Sequence, residues 1–366
     1  MASIFLPRSI RIGGGTIAEL PAALAQFGLA APAILTDPFL AQNGTLDRLL
    51  TILAAAGIAA RAYCDVISDP TVASVEAAHS FVAEAAHDSV IALGGGSPID
   101  TAKAVAVLAV RGGTMRARKV PHQEDAPALP IVAIPTTAGT GSEATRVTVI
   151  TDEANDEKML CAGLAYLPTI AIVDYELTLT KPLRLTADTG IDALTHAIEA
   201  YVSRLANPFS DGMALAAMRA IWPNLRTACA EPGNRAAREA MMAGSLQAGI
   251  AFSNASVALV HGMSRPIGAH FHVAHGLSNA MLLPAVTAWS APAALPRYAD
   301  CARAMGLAAE GEGDQAAVAR LVEALRDVNR DLAVPTPKSY GIDEARWNEL
   351  LPLMAEQALA SGSPGN

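Results

Sequence analysis

The sequence contains the stretch Asp192-Ala-Leu-Thr-His196, inside an apolar run whose spacing predicts a helix. A helix places residues four apart one turn above each other, so the Asp192 carboxylate and the His196 imidazole leave the same face. Two such side chains can hold one cation. Because an Asp-x-x-x-His pair also occurs by chance, further ligands have to be sought elsewhere in the chain.

A second stretch supplies more imidazoles and reads His261-Gly-Met-Ser-Arg-Pro-Ile-Gly-Ala-His-Phe-His-Val-Ala-His275-Gly. His261 and His275 are the best further candidates, because the glycine after each keeps side-chain bulk away from the imidazole. One carboxylate and three imidazoles favour Zn²⁺ or Fe²⁺ over ions that prefer thiolates. The alternative is that these histidines are hydrogen-bonded core residues, and spacing alone leaves both interpretations open.

Length and composition indicate two folded domains. The chain has 366 residues, of which 52% are hydrophobic and 17% charged, enough apolar material for two cores. The formal net charge of −9 argues against a nucleic-acid partner, which would need clustered Lys and Arg. One short basic cluster is interpreted as a solvated loop and comprises Arg111, Arg116, Arg118 and Lys119.

The cysteines and the N-terminus indicate a cytoplasmic protein. Four cysteines lie far apart without C-x-x-C spacing, which favours neither a zinc thiolate site nor a disulfide framework and fits a reducing compartment. The first residues show no basic segment followed by a long apolar core. No later stretch of about 18 apolar residues predicts a membrane span.

The two halves of the chain differ in character. Short β-like runs at residues 33–36, 59–63, 89–93, 131–134 and 170–174 alternate with helical spacing, which predicts an open parallel α/β sheet. From about Lys181 only helical spacing remains. We therefore expect an α/β dinucleotide-binding domain at 1–182 and an all-α metal-binding domain at 183–366, with catalysis in the cleft between them.

Two glycine-rich turns follow predicted strands, where open α/β sheets bind their ligands. Gly94-Gly-Gly-Ser97 would let the backbone approach a diphosphate, although G-x-G-x-x-G and the P-loop are absent and a plain tight turn is the alternative. The turn at 135–143 is rich in hydroxyls and glycine. Asp37, at the end of the first predicted strand, either accepts the hydroxyls of an adenosine ribose, favouring NAD, or caps a helix.

Together, residues 94–103, 135–143, 188–201 and 261–284 resemble the iron-containing (group III) alcohol dehydrogenases. The resemblance implies a dehydroquinate synthase-like fold, the cofactors NAD and Fe²⁺ (or Zn²⁺), a small alcohol or aldehyde as substrate, and a homodimer or larger assembly. It implies the metal ligands Asp192, His196, His261 and His275. The implied nucleotide contacts are Asp37, Gly95, Gly96, Ser97, Thr136, Thr137 and Lys158, with weaker matches at Asp69 and Thr140.

This chain departs from the family pattern at Arg265, where many members carry a histidine implicated in proton relay. Arginine stays protonated and cannot act as a base, so the relay must run through another group or through water. His272 and His270 are the candidates, and the alternative is that each is a surface histidine or supports the ligands from behind. Arg265 itself is predicted to grip an anionic group on a small acidic aldehyde or hydroxy acid. Family chains usually continue into a further helix, whereas this sequence stops at Asn366 after a predicted loop at 360–366.

The expected reaction is metal-assisted hydride transfer between the carbinol carbon and nicotinamide C4. A dehydroquinate synthase-like lyase is an alternative, but it would use a Glu as first ligand and more basic residues around a substrate phosphate. A maleylacetate reductase-like enzyme without metal fits poorly, because all four ligand positions are filled. A non-catalytic nucleotide-binding protein is the third alternative.

Overall fold

A six-stranded parallel sheet is built by the first half of the chain in the computed structural model, which describes residues 2–361. The predicted loop at 360–366 therefore lies, from residue 362 onward, outside the described residues. The chain divides into two compact units, one of Phe5–Thr180 and one of Lys181–Asn366 together with Met1–Ile4.

The strands of the first unit are β1 (Ser9–Ile12), β2 (Pro32–Thr36), β3 (Arg61–Tyr63), β4 (Ser89–Gly94), β5 (Ile131–Pro135), β6 (Val147–Asp152), β7 (Glu157–Ala162) and β8 (Ile170–Val173). Its α-helices are α1 (Leu20–Gln26), α2 (Pro38–Gln42), α3 (Thr45–Ala55), α4 (Val72–Ala83) and α5 (Gly96–Arg111). The sheet has the order β1-β8-β5-β4-β2-β3, with every pairing parallel, and β6 and β7 form a separate antiparallel pair. The sequence analysis missed β1, β6 and β7.

The central strands are buried on both faces. Successive side chains of a strand point to opposite faces, and here Val90 and Ala92 of β4 join one apolar cluster while Ile91 and Leu93 join the other. Both faces are therefore covered, which explains the continuous apolar runs that replace an apolar–polar alternation. β4 and β5 are neighbours with Gly94 opposite Pro135, so the two glycine-rich turns leave the same edge of the sheet.

Within residues 181–361 the second unit consists of helices and their connecting loops, without a strand. Its helices are α6 (Leu183–Val202), α7 (Pro208–Ala230), α8 (Arg235–Ser253), α9 (Leu259–Phe271), α10 (His275–Ser290), α11 (Leu295–Ala304), α12 (Asp314–Asp331), α13 (Pro337–Tyr340) and α14 (Glu344–Ala360). α6 is the central helix: it packs against α7, α8 and α10, and each of its residues from Gly190 to Val202 is buried. The expected fold class, an α/β part followed by an all-α part, is confirmed.

Two further expectations bear on the environment of the protein. All four cysteines are unpaired thiols, and three of them are buried. Within residues 2–361, none of the helices combines the length and the apolar composition that crossing a bilayer requires.

Candidate metal centre

Three helices of the second unit bring four potential ligands together. Asp192 and His196 lie one turn apart on α6, His261 lies in the first turn of α9, and His275 is the first residue of α10. One oxygen or nitrogen atom from each side chain lies within 4.8 Å of those of the other three. Asp192 Oδ1 is 3.5 Å from His261 Nε2, 3.8 Å from His275 Nε2 and 4.0 Å from His196 Nε2.

Three of the four potential ligands are buried, and the fourth is partly exposed. Asp192, His196 and His261 are buried, whereas the side chain of His275 is 36% exposed. The His196 ring stacks on Phe252, with 4.3 Å between the ring centroids, and on His261, with 4.4 Å. These contacts restrict the orientation of the His196 ring.

The charges of the cluster compensate one another. Burial alone would raise the pKa of Asp192, but the imidazoles of His196, His275 and His261 outweigh burial and hold this pKa well below its usual range. Burial alone would lower the pKa of His261, but its contacts with Asp192 and Glu199 raise it to about 9. The Asp192 carboxylate is therefore ionised, and in this structure positive charge on the imidazoles compensates it. A bound cation would supply that positive charge instead.

Sequence reasoning missed Asn279, which is buried four residues after His275 on α10. Its Nδ2 lies 2.7 Å from Asp192 Oδ1, 3.0 Å from His261 Nε2 and 3.2 Å from His275 Nε2. The positive end of the amide dipole thus faces the atoms that would face a cation. The spacing of four from His275 was the signal that could have indicated this residue.

A divalent cation fits this set of donors. One carboxylate oxygen and three imidazole nitrogens are donors that suit Zn²⁺ or Fe²⁺, and Nδ2 of Asn279 lies 2.7 Å from the carboxylate oxygen of this set. A substrate oxygen would have to bind as a further ligand, since catalytic sites of this kind can expand to five-coordinate.

The glycine after His275 has a different role from the one expected. A Cβ atom on Gly276 would lie 2.8 Å from the Asp188 carbonyl oxygen and 3.5 Å from Asp192 Cβ. Gly276 therefore lets the start of α10 approach α6 closely, and this approach brings His275 to the cluster. A Cβ atom on Gly262 would similarly lie 3.2 Å from the Ala358 carbonyl oxygen.

The predicted catalytic residues lie near the end of the same segment. Arg265 follows His261 by one turn on α9, and its Nη1 donates to the carbonyl oxygen of Ser361 at 2.5 Å. His270 Nε2 lies 2.9 Å from Gln357 Oε1. His272 is exposed and ends α9 in a left-handed conformation with φ 53°. Neither His270 nor His272 joins the group of four.

In the first unit, the two glycine-rich turns pack against each other. A Cβ atom on Gly95 would lie 3.3 Å from Thr137 Oγ1, and one on Gly96 would lie 2.9 Å from Thr140 Cγ2. Thr136 N donates to the Gly94 carbonyl oxygen at 2.9 Å. Glycine is thus required for the contact between the turns, and the backbone at the start of α5 stays free of side-chain bulk.

The other predicted nucleotide-binding residues also lie in the first unit, Asp37 directly after β2 and Lys158 on β7. Lys158 Nζ pairs with Asp69 Oδ1 at 2.8 Å, and the Asp69 backbone N–H donates to Ser97 Oγ at 3.2 Å, so these three are brought together. Asp37 follows β2 and caps α2, because its Oδ1 accepts from Leu40 N at 2.9 Å. The capping alternative considered for Asp37 is therefore what the structure displays.

Two family models match the chain over most of its length. One, described as iron-containing alcohol dehydrogenase, matches residues 7–175, and the other, described as the C-terminal part of the Fe-containing alcohol dehydrogenase family, matches residues 186–366. The chain belongs to the iron-containing alcohol dehydrogenase family. The resemblance inferred from the motifs is confirmed, and this iron-containing alcohol dehydrogenase is an oxidoreductase.

Known relatives cover nearly the whole of this iron-containing alcohol dehydrogenase. The long-chain-alcohol dehydrogenase 1 of Geobacillus thermodenitrificans is 39% identical over 358 residues, which is 96% of this chain and 89% of the relative. A solved 1,3-propanediol oxidoreductase superposes with a TM-score of 0.94 at 34% identity, covering 99% and 94% of the two chains. A solved sulfoacetaldehyde reductase of Bifidobacterium kashiwanohense, in complex with NAD⁺, superposes with a TM-score of 0.87 at 29% identity, covering 97% and 92%.

Proposed function

We propose that this enzyme uses a divalent cation and NAD(H) to interconvert a small alcohol and its aldehyde by hydride transfer. The observation that carries the proposal is the convergence of one buried carboxylate and three imidazoles from α6, α9 and α10. Neither the lyase nor the metal-free alternative is favoured by any contact of these residues. The proposed division of labour assigns NAD to residues 1–182 and the metal to residues 183–366.

The proposed ligands are Asp192, His196, His261 and His275. Fe²⁺ and Zn²⁺ both suit these donors, so the native metal is set by supply as well as by the site. A cation bound there would polarise the aldehyde carbonyl and lower the pKa of the alcohol hydroxyl. The protein's own part is to hold the four donors in place, to compensate the charge through Asp192, and to keep three of the four ligands buried from water.

The proposed NAD contacts are Asp37, Gly95, Gly96, Ser97, Thr136, Thr137 and Lys158. The packed turns after β4 and β5 support this assignment, because Gly95 and Gly96 add no side chain of their own where the first amides of α5 would meet a diphosphate. A carboxylate has several lone pairs, so Asp37 can cap α2 and still accept from a ribose hydroxyl. The solved sulfoacetaldehyde reductase holds NAD⁺, which supports the same cofactor here.

We further propose a substrate that carries an anionic group, held by Arg265. Arg265 lies one turn after His261 and presents a guanidinium group with five N–H donors, of which the Ser361 carbonyl oxygen takes one. The name of the solved sulfoacetaldehyde reductase describes an anionic aldehyde of this kind. His272 is proposed to pass the proton, because its exposed imidazole can exchange protons with solvent.

The experiment that tests the function is an assay of NADH oxidation with a panel of short aldehydes. We expect absorbance to fall with the enzyme loaded with Fe²⁺ or Zn²⁺, to stop falling after treatment with a chelator, and to recover when the metal is returned. Unchanged rates after the chelator would contradict metal dependence. A metal-loaded enzyme that oxidises NADH with none of the aldehydes would contradict the proposed reaction.

We also infer a reducing, cytoplasmic environment and a homodimer or larger assembly. Four unpaired thiols support the first inference. Large apolar side chains on the surface of the chain, among them Trp289 and Leu205, support the second, because such residues often lie in subunit interfaces. Light scattering on the purified protein would test it, and the mass of a single chain would contradict it.

A further inference from the structure

Glu199 lies on the same face of α6 as the candidate ligands, seven residues after Asp192 and three after His196. It is 2% exposed and makes three contacts with the first turn of α9. Its Oε1 accepts from the Val260 backbone N–H at 2.6 Å. Its Oε2 lies 2.6 Å from His261 Nδ1 and accepts from the His261 backbone N–H at 3.4 Å.

The contact with His261 Nδ1 decides which ring nitrogen can bind a cation. A carboxylate only accepts hydrogen bonds, so the neutral imidazole must keep its single proton on Nδ1 to make this contact. The Nε2 lone pair is then left for a metal, and Nε2 is the atom that lies 3.5 Å from Asp192 Oδ1. The hydrogen bond that one ring nitrogen makes thus selects the other as the ligand atom.

The contacts with the backbone fix where α9 begins. The first amides of a helix have no partner within the helix, and the residue before α9, Ala258, offers no side-chain cap. Glu199, which belongs to the neighbouring helix α6, acts as the cap instead by accepting from Val260 N and His261 N. A carboxylate is also the favoured charge at a helix N-terminus. Both the backbone and the ring of His261 are therefore held by one side chain.

We propose that Glu199 is the positioning residue for His261, and that it sets the metal affinity of the site by fixing the imidazole tautomer. The inference rests on the proposed role of His261 as a metal ligand. It assigns a function to a carboxylate that does not itself join the ligand cluster.

The test is the variant Glu199→Gln in the full chain, stripped of metal. A glutamine side chain has one accepting oxygen where Glu199 uses two, so it cannot serve both Val260 N and His261 Nδ1. If its N–H₂ group faces Nδ1, the imidazole proton moves to Nε2 and points into the metal site. We expect the dissociation constant for Zn²⁺, measured by competition with a chromophoric chelator, to rise about 10- to 100-fold. A change within about twofold would overturn the proposal.

Glu124→Gln is the matched control. Glu124 is also a buried carboxylate, but it pairs with Arg118 in the other compact unit and has no contact with the ligands. We expect this control to lower the melting temperature and to leave the Zn²⁺ dissociation constant unchanged. An equal loss of Zn²⁺ affinity in both variants would overturn the specific role of Glu199, because general destabilisation would then explain both.

A second measurement covers the case in which Glu199→Gln fails to fold. In the zinc-loaded wild-type protein with ¹⁵N-labelled histidine, we expect His261 to carry a proton on Nδ1 and to bind the metal through Nε2. Metal on Nδ1 would overturn the proposal. Failure of the proposed function is distinct: without a metal site the wild-type protein would bind no Zn²⁺, and without the proposed reaction it would bind Zn²⁺ but oxidise no NADH with the aldehydes.

Discussion

Arg265 stands where the sequence analysis expected a histidine from the resemblance to the family, and its chemistry bears on the proposed substrate. A guanidinium group cannot act as the base that a histidine provides, but it can bind a carboxylate or a sulfonate through two parallel hydrogen bonds. It lies one turn after His261 on the same helix, α9. One of its N–H groups donates to the Ser361 carbonyl oxygen. Specificity is therefore expected to depend on this residue more than on the metal ligands.

Arg265→His is predicted to reduce the preference for anionic aldehydes. A hydrogen bond to a charged group contributes about 1.5–3 kcal/mol, so the ratio of kcat/KM for an aldehyde with a terminal carboxylate to that for a neutral aldehyde of equal length should fall about 10-fold or more. The control is Arg226→His, because Arg226 pairs with Asp331 on the protein surface. Unchanged selectivity in Arg265→His would contradict an anionic substrate.

Glu143→Gln is predicted to remove a pH dependence of stability. Burial raises the pKa of Glu143 to about 7, although Lys103 opposes this shift. Because the folded protein holds the Glu143 proton more tightly than the unfolded chain does, protonation of Glu143 contributes to the free energy of unfolding. This contribution is fully present below the ordinary pKa near 4.5 and is lost as the pH rises to about 7. Burial also lowers the pKa of Lys103, to about 8, so Lys103 stays protonated through this window.

Denaturant unfolding at several pH values would measure this effect. The free energy of unfolding of the wild type should fall relative to Glu143→Gln between about pH 4.5 and 7, by at most about 1.4 kcal/mol for each pH unit. Above pH 7 the difference should stay constant. Parallel curves from pH 4.5 to 7 would contradict the raised pKa.

Single residues also mark the limit of what the sequence could predict. Asp192 and His196 could be predicted to act together, because residues four apart in a helix lie on the same face. His261 and His275 could be picked out because each is followed by glycine. Glu199 and Asn279 lie at helical spacings from His196 and His275, but their partners belong to other helices. Which helices pack together depends on contacts distant in sequence, so these two roles could not be derived.

At the scale of elements, close approach of backbones positions the site. Gly276 lets α10 start against α6, and the two turns after β4 and β5 meet through Gly95 and Gly96. The apolar runs of β2, β4, β5 and β8 were predictable, because strands buried on both faces have no polar positions. β1, with its partly exposed residues, and the hairpin of β6 and β7 lacked such a run and were missed.

Gly276→Ala is predicted to weaken the metal site through the position of α10. The added methyl group would lie 2.8 Å from the Asp188 carbonyl oxygen, so α10 must move away from α6 and take His275 with it. We expect a lower melting temperature and a rise of about 10-fold or more in the Zn²⁺ dissociation constant, since metal sites tolerate only small displacements of a ligand. Chelator competition and thermal unfolding would measure the two effects.

The control for this prediction is Gly212→Ala. Gly212 is exposed on α7, and an added Cβ atom there meets nothing within 4 Å. Replacing glycine by alanine in an exposed helix should stabilise the protein by about 0.5–1 kcal/mol and leave Zn²⁺ binding unchanged. Normal Zn²⁺ affinity in Gly276→Ala would contradict the role given to the contact between α6 and α10.

At the scale of the whole molecule, each compact unit holds one part of the proposed chemistry. The packed glycine-rich turns belong to Phe5–Thr180, and the ligand cluster belongs to the helices that follow Lys181. The change from strand-like runs to purely helical spacing near residue 181 made the two architectures predictable from sequence. Both architectures belong to one oxidoreductase of the iron-containing alcohol dehydrogenase family, and the choice of substrate is proposed to depend on Arg265.

The most direct test of the central claim is anomalous diffraction from crystals of the zinc-loaded protein, recorded at the zinc absorption edge. We predict one peak about 2.0–2.2 Å from a carboxylate oxygen of Asp192 and from one nitrogen each of His196, His261 and His275. Zinc bound at another place, or these four side chains without a shared peak, would contradict the account.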